Sequence, residues 1–154
     1  MDNAQIEAFL ATQSWLASLE EFDRTALAAA LQVQTFEPGD AIISQGDKAS
    51  QLFLLVEGGV AVEIEKDGAT RRIRVMEPGA LFGILALVDH RPRSAACIAT
   101  TDVTVCVLEK TVFDMLAHQH ARIAYPFQRA LGAQLAADFR WAVSAIEDRL
   151  IAIV

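Results

Sequence analysis

The sequence predicts a mainly β protein with flanking helices: an antiparallel β-roll, or jelly roll, with N-terminal helices and a long C-terminal helix. Three observations predict it. Apolar residues recur at helical spacing before residue 32, short apolar runs bounded by turn residues fill the middle, and the helical period returns from Lys110 almost to the end. A chain of 154 residues fits one domain, 1–154, able to bury roughly two thirds of its unfolded surface without disulfide staples.

Within 1–32, the spacing of Ile6, Phe9 and Leu10, then Leu16 and Leu19, then Phe22, Leu27 and Leu31 gives the N-terminal helices. Ser18 with Glu21 three residues on predicts a capping box for the second helix. From 33 to 109 the runs 33–36, 41–43, 52–56, 60–64, 73–76, 95–99 and 103–108 read as the strands of the roll. Pro38-Gly39-Asp40 and Gly46-Asp47 supply turn chemistry between them, and Lys66-Asp67-Gly68 is a hairpin signal. From 110 to 154, Ile123, Phe127, Leu131, Leu135, Phe139, Ala142, Ile146 and Leu150 form one apolar stripe. Pro126 removes a backbone donor there, which predicts a kink or a helix start near Tyr125.

The net charge of −7 and the pI near 4.9 disfavour a nucleic-acid surface, which needs lysine and arginine to replace condensed counterions. No direct nucleic-acid partner is expected. Residues 1–5 lack the basic segment and apolar run of a signal peptide, and no apolar stretch reaches the roughly eighteen residues of a membrane span, so the expectation is cytoplasmic, without membrane attachment. Cys97 and Cys106 sit in apolar strand-like runs and read as reduced, buried thiols. His90, His118 and His120 share no ligand-spaced motif, so no metal is expected, and no nucleophile with a recognisable paired base points to an enzyme.

The segment that speaks of chemistry is Pro78-Gly79-Ala80-Leu81-Phe82-Gly83-Ile84-Leu85-Ala86-Leu87, followed by Pro92-Arg93-Ser94. It reads as a phosphate cradle. The backbone N–H groups opening a short helix from Gly83 to Ala86 can point together at a compact anion, and Gly83 allows close approach. Arg93 supplies a charge-assisted hydrogen bond to phosphate oxygens and Ser94 a hydroxyl. The alternative is that Gly83 and the run from Ile84 to Val88 only pack the roll while Arg93 pairs with a local carboxylate such as Asp89.

Three segments in this order and spacing carry a resemblance: 36–47 around Pro38-Gly39-Asp40, 52–58 ending in Glu57-Gly58, and the cradle with Pro92-Arg93-Ser94-Ala95. The chain resembles, over nearly its whole length, the cyclic-nucleotide-binding domain of the cyclic-AMP receptor protein and FNR regulator superfamily. The resemblance implies a ligand, cyclic AMP or another cyclic nucleotide, bound by Phe82, Gly83, Ile84, Leu85, Ala86, Arg93 and Ser94. It places Asp138 and Trp141, with Gln134, on a flank of the long helix facing the base; a solvated or dimer-flanking edge is the alternative. The family pattern at the cradle is Phe-Gly-Glu, whose glutamate accepts the ribose 2′-hydroxyl; here that position is Ile84, and the lost hydrogen bond predicts binding weaker by roughly ten- to a hundred-fold. The implied function is a stand-alone sensory and regulatory module. Its ligand binding would couple to the C-terminal helix and to a homodimer or other protein-partner surface. The alternatives are a ligand-free interaction module of the same fold, or the sensor fragment of a transcriptional regulator, since the chain stops at Val154 with no helix-turn-helix domain.

Overall fold

The computed structural model describes residues 1–85 and 90–153, with side chains up to residue 148. Helices α1 (Asn3–Ala11) and α2 (Glu21–Ala30) precede strands β1 (Gln32–Phe36), β2 (Ala41–Ile43), β3 (Gln51–Glu57), β4 (Val60–Lys66), β5 (Ala69–Met76), β6 (Leu81–Phe82), β7 (Ala96–Ala99) and β8 (Val103–Glu109). Helices α3 (Lys110–Gln119) and α4 (Ala121–Ile153) follow. The strands form two four-stranded antiparallel sheets, in the orders β1-β8-β3-β6 and β2-β7-β4-β5. This is the helix-flanked β-roll that the sequence predicts.

The alternation of side chains along β3 and β8 explains why their sequences read as continuous apolar runs. Phe53 and Leu55 of β3, with Val103, Val105 and Val107 of β8, point between the two sheets and meet Val60, Met76 and Cys97 of the other. Leu52, Leu54, Cys106 and Leu108 point the opposite way, onto Leu10, Leu27, Leu116, Ile123 and Phe127 of the helices. The first sheet is therefore buried on both faces. Short β6, absent from the sequence-predicted strands, divides in the same way, with Leu81 toward the helices and Phe82 between the sheets.

The hairpin at Lys66-Asp67-Gly68 forms as its residues suggest: Asp67 and Gly68 both have positive φ, +56° and +76°, and Lys66 pairs with Ala69, the geometry of a two-residue type I′ turn. Two local expectations are corrected. The capping box lies on α1, where Gln5 N–H donates to Asp2 Oδ1 and Asp2 N–H to Gln5 Oε1, each at 2.9 Å. At α2 the N-cap is Glu20, without a side-chain bond, because the 3₁₀ turn Ser14–Leu16 and the Leu19 N–H to Leu16 carbonyl bond use the chain through Leu19. The second correction concerns one of the two expectations for Pro126, a helix start near Tyr125: the helix starts at Ala121 and Pro126 lies inside it. Coming early in the helix, its missing N–H costs one bond beyond those a first turn lacks anyway.

Phe22, placed on the apolar stripe of α2, is 74% exposed and its ring lies 5.2 Å from that of His120. The stripe of α4 divides in two. Ile123 and Phe127 are buried, with Trp15 and Phe113 packed on the Phe127 ring, whereas Leu135, Phe139 and Ile146 are exposed.

Candidate ligand site

A cavity of about 460 Å³ opens where the second sheet, the segment between β6 and β7, and α4 meet. Its floor is Val62, Ile64, Ile73 and Met76 from β4 and β5 together with Ile43 and Cys97. One wall is the cradle, Leu81 to Leu85 and Arg91 to Ala95, and the other is α4 through Leu131, Gln134, Leu135, Asp138, Trp141 and Ala142. Of the sequence-predicted site residues, Phe82, Gly83, Ile84, Leu85, Arg93, Ser94, Asp138 and Trp141 all line this one cavity. Ala86, the last residue of the short helix expected from Gly83, lies outside the described residues, and the expectation is corrected at its start, where neither Gly83 nor Ile84 is helical.

Arg93 is held from both ends. Its backbone N–H donates to Asp47 O and its carbonyl accepts from Gly46 N–H, both at 2.8 Å, so the Gly46-Asp47 turn fixes where the segment runs. Its side chain, only 8% exposed, donates from Nη1 to Gly83 O at 2.5 Å and from Nη2 to Gln51 O at 2.7 Å, and the guanidinium lies 5.9 Å from the centre of the Phe53 ring. Phe53 in turn stacks on Phe82, centroids 5.1 Å apart. Burial pushes the Arg93 guanidinium below its usual range, opposed by Cys97 and Asp47. Arginine stays charged in proteins, so the cavity holds a fixed cation that two carbonyls only partly satisfy.

Gly83 is in the left-handed region, φ +77°, and is not helical. A Cβ there would stand 2.9 Å from Arg93 Nη1, 3.1 Å from Phe53 Cδ2 and 3.2 Å from Gln51 O. The glycine serves the arginine as much as any ligand. Opposite the cradle, Asp138 Oδ1 accepts from Gln134 Nε2 at 2.9 Å and forms an ion pair with Arg74 Nη1 of β5 at 2.7 Å, tying α4 to the second sheet. Asp138 therefore stands on the cavity wall already engaged, and Trp141 on the same wall is half exposed. Neither forms only a solvated edge.

Sequence reading missed Gln51, Phe53, Asp47 and Arg74. Two of these act through backbone carbonyls, which no side-chain motif announces. Arg74 was legible only as one of several arginines on an exposed hairpin.

The sequence model of the cyclic nucleotide-binding domain matches residues 33–120, β1 to the end of α3. The chain belongs to that family. A Drosophila melanogaster cAMP-dependent protein kinase type II regulatory subunit is 37% identical over 111 residues, covering 71% of this chain and 29% of the relative. The chain spans less than a third of the length of the first curated relatives it matches.

Among solved structures, the regulatory domain of Toxoplasma gondii PKA with cAMP matches this cyclic nucleotide-binding domain at TM-score 0.69 and 26% identity, over 74% of this chain and 44% of the other. The Thermus thermophilus catabolite activator protein matches at TM-score 0.72 and 27% identity, over 86% and 61%. A cyclic nucleotide-binding domain from Methylobacillus flagellatus aligns at TM-score 0.82 over 96% of this chain and 83% of the other; at 20% identity it speaks for the fold alone. The family region ends at residue 120, so the cavity combines the family's roll with a wall from α4 that lies beyond it.

Proposed function

We propose that this domain is a sensory and regulatory module that binds a cyclic nucleotide in the cavity between cradle and α4, with Arg93 on the phosphate. The observation that carries this reading is the convergence of Arg93, Gly83, Asp138 and Trp141, far apart in sequence, on one cavity. Among the described residues, two donors of the Arg93 guanidinium are used by carbonyls, which leaves three of its five N–H groups for phosphate oxygens. The relative solved with cAMP supports the same ligand class.

The proposed module is a binder rather than a catalyst and works in the cytoplasm, in keeping with relatives described as regulatory subunits. Among the described residues no helix is long and apolar enough to cross a membrane. A ligand seated on Arg93 presses on Leu131, Leu135 and Trp141, so occupancy is felt by α4. Leu135, Phe139, Ala142 and Ile146 follow heptad spacing, and Phe139 and Ile146 are 71% and 58% exposed. We assign this face to a second copy of the chain, packed helix against helix. An unidentified protein partner on the same face is the other outcome.

A second reading, a ligand-free interaction module, is favoured by one observation: Nη1 and Nη2 of Arg93 are bonded to the Gly83 and Gln51 carbonyls of its own chain. Calorimetric titration with cyclic AMP and cyclic GMP, beside an Ile84→Glu variant, separates the two. Saturable binding by the native chain is expected. Binding by neither protein would leave the interaction module.

A further inference from the structure

Gln51 is bonded at both of its ends. Its backbone carbonyl accepts from Arg93 Nη2 at 2.7 Å, and its side-chain Nε2 donates to Glu109 Oε1. The second bond follows from the β3–β8 ladder, in which Gln51 lies directly opposite Glu109. Glu109 is also the N-cap of α3, and its carboxylate makes no capping bond to that helix. Beside it, Ser50 O accepts from Lys110 N–H at 2.7 Å, so the start of α3 is held by residues 50 and 51. Farther along α3, Phe113 packs on the Phe127 ring of α4, centroids 5.2 Å apart, and Leu116 is buried in one cluster with Ile123 and Phe127. Arg93, Gln51, Glu109, α3 and α4 thus form one series of contacts, although none of the described residues lining the cavity belongs to α3.

We infer that Gln51 is a positioning residue, whose side-chain bond to Glu109 carries the state of Arg93 to the first turn of α3. The ligand-dependent half of this inference rests on the reading of Arg93 as the group that holds the anion. An anion drawing on the guanidinium alters the bond that Nη2 gives to the Gln51 carbonyl, and hydrogen bonds joined in series polarise and orient one another. A shift of residue 51 then acts on Glu109 and on the helix that Glu109 starts, since coupling of this kind is carried by contiguous bonded and packed groups. The two roles of Gln51 are separable. The carbonyl that holds Arg93 belongs to the backbone and survives a change of side chain, whereas the link to Glu109 is the side chain alone. Glu109→Gln keeps an acceptor for Gln51 Nε2 and therefore keeps the link.

The test is amide hydrogen exchange on the full chain, read over residues 113–119 of α3 and normalised to β4 of the other sheet. It compares the native protein with Gln51→Leu, Arg93→Lys, their double variant and Glu109→Gln. Without ligand, Gln51→Leu and Arg93→Lys are each expected to raise exchange over α3 at least about threefold, and the double variant no further than the larger single effect. Glu109→Gln is expected to match the native protein. Native exchange in Gln51→Leu, effects that multiply in the double variant, or a Glu109→Gln that behaves as Gln51→Leu does, each overturns the inference. Saturating cyclic AMP is expected to change α3 exchange in the native protein at least about threefold and to leave it unchanged in Gln51→Leu, which still binds within about threefold of native affinity. A full response in Gln51→Leu, or none in a native protein that binds, overturns the inference and leaves the site standing. Loss of binding in folded Gln51→Leu overturns its separate positioning role. Silence of the folded native protein with cyclic AMP overturns the site, and the ligand-free arm then decides the link from Arg93 to α3 by itself.

Discussion

Arg93 and Gly83 are built for each other: Nη1 donates to the Gly83 carbonyl at 2.5 Å, and the space a Cβ on Gly83 would fill ends 2.9 Å from that same Nη1. Gly83→Ala therefore carries two costs, the positive φ and the displacement of a buried guanidinium. Gly39→Ala carries only the first, since at φ +96° its Cβ meets nothing within 4 Å. Urea denaturation is expected to show Gly39→Ala destabilised by about 1 kcal/mol and Gly83→Ala by about 2–4 kcal/mol. Equal losses would mean that Arg93 gives way freely.

Arg93→Lys tests the other half of the pair. A lysine keeps the charge but has one nitrogen, so it cannot span the Gly83 and Gln51 carbonyls as the guanidinium fork does. A loss of about 1–3 kcal/mol is expected, together with loss of cyclic-nucleotide binding. Calorimetry on a variant shown folded by circular dichroism reads the second effect separately from the first.

The fold was legible because its signals are local and agree with one another: short apolar runs broken by turn residues, and a hairpin whose Asp67-Gly68 pair adopts the positive φ it suggests. That Gly83 and Arg93 meet on one cavity was legible because the segment from Pro78 to Ala95 carries the resemblance in its order and spacing. The support of Arg93 was not, for Gln51 contributes a carbonyl from a strand 42 residues away and Asp47 another from a turn. The alternative partner of Arg93, Asp89, lies outside the described residues; among those described, the Arg93 side-chain bonds go to the two carbonyls. The capping box went to Ser18 and Glu21 because a 3₁₀ turn, which leaves little periodic trace, postpones the start of α2.

Stability should fall in alkaline solution through the two thiols. Burial pushes Cys97 and Cys106 each to about 11, from 9.0 for an unperturbed thiol. Between these values the unfolded chain releases both protons while the folded chain holds them, so the unfolded state binds fewer protons and stability declines as pH rises. The contribution is fully present below about pH 9 and is lost on passing to pH 11. A Cys97→Ala, Cys106→Ala variant is expected to show a shallower fall of Tm between pH 8.5 and 11 than the native chain. Parallel curves would assign the decline to other groups.

The Arg74–Asp138 pair is half exposed, so it adds little stability, under about 1 kcal/mol. Its consequence is positional, because it ties α4 to β5 across the cavity mouth. Asp138→Asn should leave Tm within about 2 °C of the native value yet raise amide hydrogen exchange along α4 from Leu131 to Trp141. Unchanged exchange would show that Ile123 and Phe127 alone hold the helix in place.

Phe139 is 71% exposed on a helix whose other apolar residues at heptad spacing, Leu135 and Ile146, are exposed beside it. A single domain gains nothing from such a face, whereas a second copy would bury both seams at once. Phe139→Glu puts like charges opposite each other in that arrangement and touches no buried contact of its own chain. Sedimentation equilibrium is expected to give a dimer for the native protein and a monomer for Phe139→Glu, with the circular dichroism of the roll unchanged. If Leu135 is the residue through which ligand reaches the seam, saturating cyclic nucleotide also shifts the native dimer constant, in either direction, and leaves the variant monomeric. A native monomer at high protein concentration would instead assign the face to a different protein.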